Sequence, residues 1–407
     1  MSRQLNVYLC RNKIGVLHED ESLQLSFKYN SADSQSLSVK LPPKIDEYSH
    51  DSVYPFFENL VPEGDSFNIL TKDHISGNKI FSFLERFGGD CAGAVSFYKT
   101  KPEKSTGDLL EISSKKISLI IDSLPLDPLL TSLENPPRLS LAGAQSKFAV
   151  YKQDKNYYRS DDEHPTTHII KISNNRFPDL LINELFCMKL AQSINLNVPD
   201  IELKETLKRP YLEIKRYDRQ QQKEKINRIH QEDLCQALGI VSDKKYQAGG
   251  GASLRDCIKI IENYSENPFP DITRFVEWII FNYLIGNTDA HAKNISLLHT
   301  ETGITLAPFY DLLSTEIYSE KIVDHSIAML INGKGKYNSL KSEDFLALFR
   351  QLGLNATNMM KEIRNKFADI VTISENLCYT DKKLLANKTV CANIIAIMKK
   401  RISRLLK

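Results

Sequence analysis

The sequence predicts an α+β fold in which a strand-rich half precedes a helix-rich half. Three observations predict it. Short apolar runs separated by turn residues recur from residue 5 to about residue 220. Longer stretches with apolar residues at helical spacing dominate after that point. Strands and helices also fail to alternate as they would in a parallel α/β sheet. The 407 residues are enough for two to three domains at about 100–200 residues each.

Residues 5–41 read as a β meander: LNVYLC, a turn at RNK, IGVLHED, then LQLSFKY. PFFENLVPEG, residues 55–64, reads as a compact apolar turn with proline near both ends. DSFNILTKDH and IFSFLERFG read as short helices, the second stopped by Gly88-Gly89. AGAVSFYK closes this part as a strand, making residues 1–105 an N-terminal α+β module. Residues 106–137 form a connector, with a helix over ISSKKISLIIDSL and a proline-rich stretch ending at Pro136-Pro137.

Residues 138–220 carry strands again. RLSLAGAQSKFAVYK is a strand, a small-residue turn and a second strand, and THIIKIS is another strand. FPDLLINELFCMKLAQSIN is a helix, followed by the strands VPDIELKE and PYLEIKRYD. Residues 221–407 read as mostly helical, with helices over HQEDLCQALGI, ASLRDCIKIIENYS and ITRFVEWIIFNYLIG. NISLLHTETGITLAPFY is a hairpin turning at Thr302-Gly303. Helices run from SEDFLALFR onward.

Composition narrows the class. Lys+Arg number 53 against 51 Asp+Glu, a net charge of +2, so bulk charge makes no case for nucleic acid or an anionic membrane. No run of about 18 apolar residues exists, so no transmembrane helix is expected. The start, MSRQLNVYLCRNK, has no signal-peptide apolar core. The seven cysteines are scattered with no CxxC and no zinc spacing. They read as reduced core thiols of a cytoplasmic protein.

The informative stretch is LIGNTDAHAKNISLLHTETGITLAPFYDLLS, residues 284–314. Asp289 precedes Asn294 by five positions, and Asp311 follows beyond the hairpin. Phosphoryl transfer from ATP needs a carboxylate for the attacking hydroxyl, and oxygen donors that hold Mg²⁺ against the phosphates. The D-x-x-x-x-N spacing is that of a protein-kinase catalytic loop. Alone, the pair is also what ordinary loops carry; the hairpin and the later aspartate in that order favour the catalytic reading.

Three upstream features support it. Ala142-Gly143-Ala144-Gln145 is a small-residue turn whose backbone could approach phosphates, or a plain tight hairpin. Lys171 ends a strand, as an ATP-pairing lysine would, or sits on a sheet edge. Glu184, thirteen residues later, reads as a helix-surface residue, with pairing to Lys171 as the alternative. The backbone around Lys215, Arg216 and Tyr217 would meet the adenine edge.

Taken together these motifs resemble those of HipA-type serine/threonine kinases, the toxins of bacterial type II toxin–antitoxin systems. PFFENLVPEG and GGDCAGAVSF resemble the family's N-terminal module. LSLAGAQSKFAV and TTHIIK resemble its phosphate loop and ATP lysine, and HQEDLCQALG, NTDAHAKNISLL and LAPFYDLLS its kinase core. The resemblance implies a HipA-like two-lobed kinase fold, with 138–220 as the N-lobe and 221–407 as the helical C-lobe.

It also implies roles for individual residues. Asp289 matches the catalytic base, Asn294 and Asp311 the Mg²⁺ ligands, and Lys171 the ATP lysine. Ala142, Gly143, Ala144, Gln145, Ser146 and Lys147 match the loop over the nucleotide. His291, Ala292, Lys293 and Asn294, with Tyr310, Asp311, Leu312 and Leu313, line the nucleotide site in the family pattern. Ser140 matches a serine that is autophosphorylated; a phosphate there adds about −1.5 to −2 charge beside a phosphate loop and would repel ATP. Two positions depart from the pattern: Lys215 stands where an acidic residue is expected, and Ser146 replaces another.

The family further implies ATP and Mg²⁺ as cofactors and a protein substrate such as an aminoacyl-tRNA synthetase. It implies a helix-turn-helix antitoxin, with operator DNA reached through that complex, and no membrane. Two rival classes stay open on the residues alone. HQEDLCQALGIVSDKKYQ loosely fits a helix-turn-helix of a DNA-binding repressor. A small-molecule kinase would share the same chemistry, whereas the presence of all three polar residues counts against a pseudokinase. The basic end MKKRISRLLK reads as a solvated helix terminus.

Overall fold

The computed structural model describes residues 2–63, 67, 77–101, 109–123, 145–161, 163–173, 177, 179–206, 209–223 and 225–406. The chain divides into two compact units. The first comprises Met1–Arg176, Lys204–Ser242 and Leu297–Glu301; the second comprises Phe177–Leu203, Asp243–Ser296 and Thr302–Lys407.

The first unit opens with an antiparallel sheet in the order Leu25–Tyr29, Asn12–Glu19, Arg3–Leu9, Val95–Tyr98. Leu5, Val7 and Leu9 share one face of their strand and are fully buried, as period-two patterning predicts, and Tyr8 between them is buried too. Their core is aromatic: the Phe57 ring lies 6.0 Å from Phe27 and 5.8 Å from Phe97.

Residues 55–64 correct the expected turn. His50–Glu58 is a helix with Pro55 inside it. Proline costs such a helix one hydrogen bond, but Val53, Phe56 and Phe57 at helical spacing are buried against the sheet. Asn59 Nδ2 also donates to Pro55 O at 2.7 Å. Lys79–Phe87 forms the expected second helix and ends at Gly88. The helix expected over residues 65–74 lies outside the described residues apart from Phe67.

Asn78 caps Lys79–Phe87 by accepting from Ile80 N at 3.0 Å and Phe81 N at 3.2 Å. Asn78→Ala should therefore cost about 1 kcal/mol, read as a lowered urea midpoint; an unchanged midpoint would show the cap to be silent.

The next strands of this unit run side by side in the order Asn156–Tyr158, Lys147–Gln153, His168–Lys171, Pro210–Lys215, all antiparallel. The helix Ser114–Ser123 covers them through Ile117, Ile120 and Ile121, against Phe148, Val150 and Ile170. Strand structure then continues past residue 220, contrary to the sequence reading. Arg219–Gln222 and Lys225–Arg228 pair as a hairpin, and His230–Asp233 is a strand. The helix expected over HQEDLCQALGI shrinks to Leu234–Leu238. Asp233 starts it through a reciprocal capping box with Gln236, and left-handed Gly239 ends it.

A buried ion cluster ties the first sheet's connections to the second sheet. Arg219 Nη2 lies 2.7 Å from Asp90, Arg216 Nη2 lies 2.7 Å from Asp218, and Gly93 N donates to Asp218 at 2.7 Å. Asp90 also accepts from Thr166 N at 2.9 Å. The segment Leu297–Glu301 joins this unit, where His299 Nε2 lies 2.8 Å from the buried Glu232.

The second unit is helical: Leu180–Ser193, Leu254–Tyr264, Pro268–Ile285, Ser342–Gln351, Ala356–Phe367, Ile370–Thr380, Lys382–Ala386 and Lys388–Leu405. Pro268–Ile285 is its central element, with Phe275, Trp278, Ile280, Phe281 and Leu284 buried. Arg401 is buried as well; its guanidinium lies 4.9 Å from the Tyr337 ring and pairs with Glu316. Among the described residues no helix is long and apolar enough to cross a membrane.

Candidate active site

The predicted catalytic stretch follows directly from the end of Pro268–Ile285. Gly286 ends that helix at φ 79°, and its N–H donates to Asn282 O at 3.0 Å. A Cβ at Gly286 would come within 2.9 Å of Arg401 and 3.2 Å of Glu316, so glycine is needed for both conformation and space. Gly286 O in turn accepts from Thr315 N at 2.9 Å and Glu316 N at 3.1 Å. Thr288 N donates to Thr315 Oγ1 at 2.7 Å. The helix end, the loop after it and the segment after Asp311 are thereby bound into one backbone frame.

Asn287 links the two aspartates. Its Oδ1 accepts from Asp289 N at 3.2 Å, and its Nδ2 donates to Asp311 O at 3.4 Å and to Asn282 Oδ1 at 2.8 Å. Asn294 lies on the 3-10 turn Ala292–Asn294, and its Nδ2 donates to Asp289 O at 3.1 Å. The main chain at Asp289 and Asp311 and the Asn294 side chain are thus tied together through Asn287. Asn287 stands outside the D-x-x-x-x-N pattern; its position one residue past a glycine helix stop is the signal the sequence offers for it.

The side-chain environment differs among the three. The Asp289 side chain is 47% exposed, whereas Asn294 is buried and Asp311 half-buried. Asp311 takes a left-handed backbone, φ 52°. Non-glycine residues at such angles cluster at functional sites. The Asn294 amide nitrogen is committed to Asp289 O, so its oxygen is the end left to meet a cation. The Asp311 carboxylate and the Asn294 carboxamide oxygen are hard donors of the kind Mg²⁺ takes. No group of three or more His, Cys, Asp or Glu with metal-holding geometry occurs among the described residues.

The other predicted residues of this unit surround that centre. His291 is buried with Nε2 3.7 Å from Asp289 Oδ1. Lys293 O accepts from the Tyr310 hydroxyl at 2.8 Å, and that hydroxyl lies 2.7 Å from Ser296 Oγ. Ala292 and Leu312 are fully buried, and Leu313 is half-buried. Ser296–Thr300 and Gly303–Leu306 are strands on either side of Glu301-Thr302, and Ala307 N donates to Ser296 O at 2.8 Å. Asp271, early in the long helix, accepts from Leu306 N at 2.8 Å and fixes that return.

In the first unit, Lys171 is not on a sheet edge. It lies on an inner strand between Lys147 and Leu212 and is buried. Glu184, in the second unit, is fully buried rather than on a helix surface. Ser146 O accepts from Ile172 N at 3.2 Å, and Gln145 Nε2 donates to Ile172 O at 3.2 Å. Ser140, Ala142, Gly143 and Ala144 lie outside the described residues. Lys215 is exposed at the end of its strand. The Arg216 side chain belongs to the buried ion cluster, its N–H donates to Thr167 O at 2.9 Å, and the Tyr217 hydroxyl donates to Gln231.

The helix-turn-helix reading is corrected by the local structure. After Leu234–Leu238 the chain forms the 3-10 turns Ser242–Lys244 and Gln247–Gly249, and no second helix forms before Leu254.

The fold is that of a HipA chain solved in a complex of HipA, HipB and operator DNA from Shewanella oneidensis; the TM-score is 0.84 at 24% identity, over 98% of each chain. A putative kinase of Sinorhizobium fredii is 34% identical over 377 residues, 89% of each chain. The serine/threonine-protein kinase toxin HipA of Shewanella oneidensis is 28% identical over 394 residues, 90% of this chain and 89% of that one. The class is therefore the HipA-like kinases. Residues 5–98 match the HipA N-terminal domain and residues 139–372 the HipA-like C-terminal domain, and the chain belongs to the HipA family.

Proposed function

We propose that this chain is an ATP- and Mg²⁺-dependent serine/threonine protein kinase that acts as the toxin of a toxin–antitoxin pair. The observation that carries the reading is the Asn287 bridge, which joins Asp289 and Asp311 while Asn294 donates to Asp289. Asp289 is the exposed member and takes the part of the base. The substrate hydroxyl oxygen bonds to the γ-phosphorus, the bond from that phosphorus to the β–γ bridging oxygen breaks, and ADP leaves. The hydroxyl proton passes to the Asp289 carboxylate and then to water. Asn294 and Asp311 would hold Mg²⁺, which neutralises phosphate charge when bound.

Lys171 and the loop through Gln145, Ser146 and Lys147 are the proposed triphosphate side. Ser140 is the proposed site of self-phosphorylation. The protein substrate belongs to the translation apparatus, with an aminoacyl-tRNA synthetase the leading class. A helix-turn-helix antitoxin would bind the chain and carry it to operator DNA, by analogy with the relative solved with HipB and its operator.

Incubation with γ-labelled ATP and Mg²⁺ tests the chemistry. Label should appear on Ser140, vanish on chelation with EDTA, and return with added Mg²⁺. Label that persists in EDTA would remove Asn294 and Asp311 from the metal role. Expression without an antitoxin should slow growth; normal growth alongside proven kinase activity would sink the toxin role and leave the kinase standing.

A further inference from the structure

Asp289 has a close side-chain partner that the kinase reading leaves unassigned. Tyr246 donates from its hydroxyl to Asp289 Oδ1. Its ring stands edge-on to His291, 5.8 Å between centroids. Tyr246 is 38% exposed, so burial of the ring is not what holds it over the carboxylate.

A closed circuit of hydrogen bonds holds it there instead. Gln247 N donates to Ala328 O at 2.8 Å, and Leu330 N donates to Gln247 Oε1 at 2.7 Å. Ala328 N donates to Thr288 O at 2.9 Å. Thr288 precedes Asp289, so the tyrosine and the aspartate are anchored on the same strip of backbone. The chain is also folded tightly behind Tyr246. Gly251 N donates to Tyr246 O at 3.0 Å, and a Cβ on Gly251 would lie 2.2 Å from Lys244 O.

A half-exposed aspartate samples several rotamers unless something fixes it. We propose that Tyr246 is a positioning residue for Asp289, a proposal that rests on the kinase reading of that site. Its hydroxyl fixes one carboxylate oxygen and turns the other toward the substrate hydroxyl. The opposite arrangement, in which the tyrosine hydroxyl stands where the substrate hydroxyl must enter, predicts the opposite sign of effect.

The test is self-labelling of the full chain with γ-labelled ATP and Mg²⁺, across a range of ATP concentrations, for wild type, Tyr246→Phe and Asp289→Asn. Phenylalanine keeps the ring against His291 and removes only the donor. The maximal rate of Tyr246→Phe should fall about tenfold, equivalent to about 1.4 kcal/mol. The ATP concentration at half-maximal rate and the melting temperature should not move. An unchanged or raised maximal rate overturns the proposal. A fall matched by a change in ATP half-saturation or melting temperature overturns it too, because that is a structural effect. A wild type as silent as Asp289→Asn would instead overturn the kinase reading itself.

Discussion

Asp289→Asn should lower phosphate transfer by about 10²–10⁴-fold, the usual contribution of a positioned general base. The substitution is nearly isosteric and keeps an acceptor oxygen for the Tyr246 hydroxyl. It leaves the backbone contacts of the loop in place, since Asn287 and Asn294 hold the main chain of residue 289 rather than its side chain. Melting temperature should therefore stay within a degree or two of wild type. Equal labelling of both proteins would rule out Asp289 as the base, whatever became of the rest of the site.

The largest stability effect is expected at Asp90→Ala. Asp90 sits 2.7 Å from Arg219, 3.6 Å from Arg228 and 3.7 Å from Arg216, and accepts from Thr166 N. Removing the carboxylate leaves buried guanidinium groups short of a counter-charge, a defect that typically costs about 3–5 kcal/mol. An unfolding free energy from urea denaturation that drops by less than a quarter of that would show that Asp218 alone balances the arginines.

The same cluster predicts acid sensitivity. Burial pushes the Asp218 carboxyl up, but Arg216 and Arg219 outweigh it and hold the group down at about 2. Asp90 is likewise held well below the carboxylate range: burial opposes, and Arg219, Arg228 and Arg216 prevail. A carboxyl depressed in the folded state contributes stability that is present above its ordinary value near 3.8 and is lost as pH falls toward 2. A denaturation midpoint that stays flat from pH 5 to pH 2 would contradict this.

Much of the architecture was legible because its signals were local. The meander from Arg3 to Tyr29 shows period-two alternation, and Lys79–Phe87 carries both an Asn cap and a Gly stop. Pro55 hid the helix His50–Glu58, because local propensity argues against a proline there and only burial of Phe56 and Phe57 outweighs it. HQED was read as helix although DLCQ holds a capping-box pattern that places the helix start at Asp233. The Asp289–Asn294 spacing was readable as a pattern. The part played by Asn287 in joining it to Asp311, and the approach of Tyr246 from 43 residues upstream, were not. Those contacts depend on backbone paths that no window of sequence contains.

The interleaving of the two units bears on how the polypeptide is made. The first unit takes Leu297–Glu301 from far along the chain, where His299 meets Glu232. A ribosome adding about 5–20 residues per second therefore needs on the order of tens of seconds before that unit can be completed. Until then Glu232 waits without its histidine, and a nascent chain released early would carry neither unit whole. Trimming either unit to a contiguous fragment for expression should fail for the same reason.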